Sequence, residues 1–162
     1  MAGSNNEQKS SEYSAPVAER RTLRLIKTGS LLFGVFETEV ATTATWRTPT
    51  PLPDAPPAIL GVVSIEGRML TVLDTLKLLG ESNKTTPRQI LSLRGEEQLA
   101  LAIDEAPETI EVNAEEMERS GQSEAIALAG TVNHQGAKVL VLDTERLFVA
   151  AFEGRERRRR RS

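Results

Sequence analysis

The chain contains no cysteine and a single histidine, His134, among its 162 residues. Disulfides, thiolate catalysis and thiolate-ligated metals are therefore excluded, and a zinc site would have to rest almost wholly on carboxylates. Aromatic residues are scarce, at 4%, and are not gathered into a platform on which nucleic-acid bases stack. Neither G-x-x-x-x-G-K-[ST] nor G-x-G-x-x-G occurs, so both common phosphate-cradling loops are missing. No apolar run approaches the ~20 residues of a membrane-spanning helix. The opening MAGSNNEQKSSE has no apolar stretch of the signal-peptide kind. These absences lead to the expectation of a cytoplasmic, non-enzymatic protein with no cofactor.

What is present is a repeat. Residues 61–80 (GVVSIEGRMLTVLDTLKLLG) and 130–149 (GTVNHQGAKVLVLDTERLFV) align without a gap at an offset of 69 and share eight of twenty positions. Several of the identities fall where the backbone is demanding. Gly67 and Gly136 sit where a tight hairpin needs positive φ. Asp74 and Asp143 sit where a strand ends and a helix needs a capping oxygen. Gly61 and Gly130 open the two copies and are read as structural too. Each copy predicts strand, turn, strand, capped helix. Asp74 and Asp143 also form a symmetric carboxylate pair, but capping, worth ~1 kcal/mol, accounts for each of them. His134 falls in the predicted turn of the second copy, where a solvated side chain is expected.

Around the repeat the pattern is mostly β. TLRLIKT (Thr22–Thr28) alternates, Gly29-Ser30 turns the chain into LLFGVF, and Val40–Trp46 is rich in β-branched residues. Thr48–Pro57 holds five prolines in ten residues, which suits an extended crossover and neither helix nor central strand. Gln89–Leu93 and Leu99–Ile103 form a hairpin around Arg94-Gly95-Glu96, and Thr109–Val112 reads as a further strand. Asn113 and Glu116 predict a capped short helix, AEEMER, stopping at Gly121. The last element, TERLFVAAFEG, places Leu147, Phe148, Ala151 and Phe152 along one helical face. Eight to ten strands and two or three short helices predict two small barrel-like lobes.

Charge is unevenly spread. After Gly154 the chain reads RERRRRRS, with six arginines and one glutamate; residues 1–154 carry 14 basic and 22 acidic side chains, a net −8. The expected division is a disordered segment over 1–20, a folded domain over 21–153 and a disordered basic tail over 154–162. The tail reads first as a solvated extension, and second as an anchor for a polyanion or an anionic membrane surface.

The run PLPDAPPAILGVVSIEGRMLTVLDTLKLLG (Pro51–Gly80) resembles the CheW-like family of bacterial chemotaxis coupling proteins, where a Pro-rich segment leads into I-x-G-V-x-N-L-R-G and a strand ending in D-L. FGVFETEV (Phe33–Val40), LALAIDEAPETIEV (Leu99–Val112) and AGTVNHQGAKVLVLDTERL (Ala129–Leu147) resemble further family segments in the same order. The resemblance implies two intertwined five-stranded SH3-like barrels with a terminal helix. It also implies an adaptor that binds methyl-accepting chemoreceptor cytoplasmic domains, the regulatory domain of a CheA-type histidine kinase, or other CheW-like proteins, within receptor arrays.

The chain departs from that pattern at two places. Glu66 stands where the family has Arg, beside Ser64 for its Asn, and Thr42 stands where many relatives carry a Glu that pairs with that Arg. Losing both partners avoids stranding one charge, and losing an Arg removes a strong interface anchor. The resemblance thus implies a divergent accessory paralogue, of the kind that Frz-type gliding-motility pathways contain, with a weakened kinase contact. The candidate protein-binding residues are Val40, Thr42, Ile65, Glu66, Arg68 and Met69. An ordinary coupling protein is one alternative. A small β-barrel that binds nucleic acid through its basic tail is the other, and the acidic body opposes it.

Overall fold

The computed structural model describes residues 20–81, 85–113, 115, 117–119 and 128–151. The segment before Arg20, the poly-Arg tail, Phe152 and most of the stretch around Gly121 lie outside the described residues.

Eleven strands run through the described chain: β1 Arg20–Thr28, β2 Leu31–Phe36, β3 Val40–Thr45, β4 Ile59–Ile65, β5 Arg68–Asp74, β6 Gln89–Leu93, β7 Leu99–Ile103, β8 Glu105–Asn113, β9 Glu118–Arg119, β10 Leu128–His134 and β11 Ala137–Leu142. They form two sheets, ordered β8-β1-β2-β11-β10-β9 and β3-β6-β7-β5-β4. Each sheet builds one SH3-like barrel. The expected five strands per barrel are met in the sheet holding β3 to β7. The other sheet gains a sixth strand, the two-residue β9. The barrels are intertwined, because β1 and β2 join β8 to β11 while everything between them in sequence builds the other lobe. We call the lobe of β3–β7 the first and the other the second.

The repeat is visible in three dimensions. Both copies form an antiparallel hairpin, β4–β5 and β10–β11, and both shift register at equivalent places, Ile59/Gly61 and Leu128/Gly130. In each, the second strand continues into a parallel pairing, β5 with β7 and β11 with β2. The turns are Glu66-Gly67, with φ of 51° and 80°, and Gln135-Gly136, with φ of 53° and 81°. Two successive positive φ values define a type I′ turn, whose twist matches that of the strands it joins. Asp74 caps α1 (Thr75–Leu78) by accepting from the Lys77 amide at 3.1 Å. Asp143 accepts from the Glu145 amide at 3.1 Å and opens a 3₁₀ turn, Thr144–Arg146, that runs into helix α2 over residues 147–151.

Three apolar clusters hold the lobes together. Val63, Ile65, Leu70, Val72 and Ile90 fill the first lobe, and Leu23, Leu25, Val132, Val139 and Val141 fill the second. The third lies between the lobes and takes Ile26, Phe33 and Val35 from one sheet and Leu73, Leu91, Leu101 and Ile103 from the other. Strands such as β7 are buried on every residue because one face looks into a barrel and the other into this shared core. Leu147 and Ala151 of α2 complete it.

Three expectations need correction. Glu118–Arg119 is a strand paired with β10, not part of a helix, and Asn113 accepts from the Glu115 amide at 2.9 Å, capping a single turn. Phe148 is 40% exposed and points away from the buried α2 face, because it sits one residue past Leu147. His134 is the last residue of β10 and half-buried, with Nε2 4.0 Å from a Glu108 carboxylate oxygen, not a solvated turn residue. The crossover after β3 is extended as expected, and Thr50 bridges Val62. There Gly61, at φ 145°, lets the Thr50 carbonyl approach so closely that any Cβ would collide with it.

Candidate protein-binding site

The six candidate residues fall at two places. Glu66 forms the tip of the β4–β5 hairpin, with Arg68 and Met69 following it up β5; all are exposed, Met69 to 58%. Ile65, in contrast, is 5% exposed and belongs to the first-lobe core. Alternation explains this, since its neighbours along the strand point the opposite way. The seam beside the hairpin is closed by the chain leaving β3. Arg47 donates from Nη1 to the Ser64 carbonyl at 2.8 Å, and Thr50 exchanges backbone hydrogen bonds with Val62 at 2.8 and 2.9 Å.

Val40 and Thr42 belong to β3, which with β4 forms the two edges of the sheet, and Thr42 and Glu66 share no hydrogen bond. Val40 is 7% exposed and packs into the shared core. Both residues border a groove of about 560 Å³ where the two lobes meet, between β3 and the end of β6 on one side and β1 and β8 on the other.

Arg24 and Glu37 line this groove. Arg24 donates to both Glu37 oxygens, from Nε at 2.9 Å and from Nη2 at 2.7 Å. The fork is partly buried, and the hydrogen bond to Glu37 raises the Arg24 pKa above its ordinary value, the same carboxylate's charge adding to the effect and partial burial opposing it. Glu37 belongs to the 3₁₀ turn Glu37–Glu39, which carries the chain from the second lobe into the first. The fork therefore ties the inter-lobe connection to β1. Arg94, just past β6, and Glu105, at the start of β8, stand on the two walls. None of these four groove residues was singled out from the sequence. Only the strand pairing, β1 against β8 and β3 against β6, brings segments so far apart to one cleft.

Residues 23–152 match the CheW-like domain. The chain belongs to the CheW-like family. Among solved structures, its fold is similar to that of a scaffolding CheW protein from Thermoanaerobacter tengcongensis, with 17% sequence identity and a TM-score of 0.67, covering 75% of this chain and 88% of that one. At that identity the likeness speaks for the fold alone. No curated protein matches the chain in sequence. The CheW-like domain and the CheW neighbour support a chemotaxis coupling adaptor. In this CheW-like chain no group of three or more metal-ligating side chains is gathered among the described residues, and no described helix is long and apolar enough to cross a membrane.

Proposed function

We propose that this protein is a chemosensory adaptor that binds chemoreceptor cytoplasmic tips while its contact with a CheA-type histidine kinase is weakened. The match of residues 23–152 to the CheW-like domain carries the adaptor reading. The groove at the lobe junction supports receptor docking, since both lobes and the tied connection shape it. Glu66 supports the loss of kinase contact. It is exposed at a hairpin tip, so its charge meets whatever docks there. A kinase surface built for an Arg at that place meets like charge, which costs several kcal/mol at an interface.

Titration of the protein with a receptor cytoplasmic fragment, and separately with the kinase regulatory domain, tests both parts. Micromolar or tighter receptor binding with weak kinase binding is the expected pair of results. Glu66→Arg should strengthen kinase binding by about tenfold, equivalent to ~1.4 kcal/mol. Tight kinase binding by the unmodified chain would return it to the ordinary coupling class.

A further inference from the structure

Among the described residues, the groove contains one cation, Arg94, whose guanidinium has no partner. Arg24 is satisfied by Glu37 through two hydrogen bonds. Arg94, on the opposite wall, has no ion pair or side-chain hydrogen bond among the described residues; only its backbone amide is engaged, donating to the Glu39 carbonyl at 2.9 Å. That single bond fixes where Arg94 leaves the sheet without using its guanidinium. The β3 residues that line the groove, Val40, Ala41, Thr42 and Thr43, carry no charge, while Glu105 stands acidic on the facing wall. An unpaired guanidinium beside a cleft is a strong donor fork for a carboxylate.

We propose that Arg94 is the electrostatic anchor of the groove and receives an acidic side chain of the docked receptor segment. The inference rests on the adaptor reading and adds the chemistry of the contact. The body of the chain is acidic, with a net −8 over residues 1–154, so an acidic partner segment is repelled by most of the surface and is attracted at this cation. That contrast selects register as well as affinity. The identity of residue 42 matters to the anchor. Thr42 pairs with Ser92 across β3 and β6, the register shifts between Val40 and Thr42, and Arg94 follows Leu93 at the end of β6. An acid at position 42 would occupy Arg94 from within the chain; threonine leaves it available.

The test is a set of titrations with the purified cytoplasmic signalling fragment of a chemoreceptor from the same organism. Arg94→Glu is expected to weaken binding at least tenfold with an unchanged melting temperature, because the side chain is exposed and the backbone bond to Glu39 stays. Thr42→Glu, which leaves Arg94 in place but occupies it, is expected to weaken binding in the same direction, whereas Thr42→Gln is not. Single Lys replacements of acidic residues at the fragment's tip should include one that restores binding to Arg94→Glu. Equal binding by the unmodified protein and Arg94→Glu overturns the anchor and leaves the adaptor reading standing. No binding by the unmodified protein overturns the adaptor reading and the anchor with it.

Discussion

At the scale of single residues, the type I′ turns hold the clearest consequences. Gly67 has φ of 80° and open space around its missing Cβ, so a substitution there costs backbone strain and no clash. Gly67→Val should destabilise the protein by at least ~1 kcal/mol, read as a lower denaturation midpoint; an unchanged midpoint would mean that the hairpin tolerates another turn. Glu66 is itself strained, a non-glycine at φ 51°. Glu66→Asn should stabilise the fold by about 0.5–1 kcal/mol, since Asn enters this region more readily. Glu66→Arg trades one long side chain for another in the same strained position and should leave stability unchanged, so its effect on kinase binding reads charge. Sequence showed the glycine because a two-residue turn between alternating strands leaves it few other roles. It did not show the strain at Glu66, because nothing local marks which residue precedes the glycine in positive φ.

Elements are joined here by contacts that local patterns do not announce. The Arg24–Glu37 fork fastens the Glu37–Glu39 turn to β1. A double-mutant cycle with Arg24→Ala and Glu37→Ala should return a coupling of ~1 kcal/mol, reduced by added salt because both side chains reach solvent. Independent effects would mean that the packing of β1 alone holds the connection. Strand order explains what was missed. The hairpins were legible because their partners adjoin in sequence, and so were the caps at Asp74 and Asp143. Placing Ile65 on a docking face failed because strand alternation turns it into the first-lobe core. Expecting a helix at Glu118–Arg119 failed because helical capping signals lost to pairing with β10. The groove between β3 and β8 had no sequence signature, since its walls come from strands that never touch in the chain.

For the whole molecule, the fold class was readable from the repeat and from the order of the family-like segments, while the assignment of strands to lobes was not. The basic tail carries no apolar residue from Arg155 to Ser162. Deleting it should leave the thermal midpoint unchanged, and a drop of several degrees would show that the acidic body holds it. The exchange of strands between lobes has a different consequence, in time. Residues of the first lobe, β3 to β7, are contiguous, so a ribosome delivers that lobe complete while translation continues. The second lobe waits: β1 and β2 emerge first, yet β2 must pair in parallel with β11, Phe33 against Leu140, near the end of the described chain. Until then the early strands of that lobe stand beside a finished barrel with Leu23 and Leu25 short of their partners on β10 and β11, and hydrophobic surface of that kind, exposed during synthesis, is where chaperones bind.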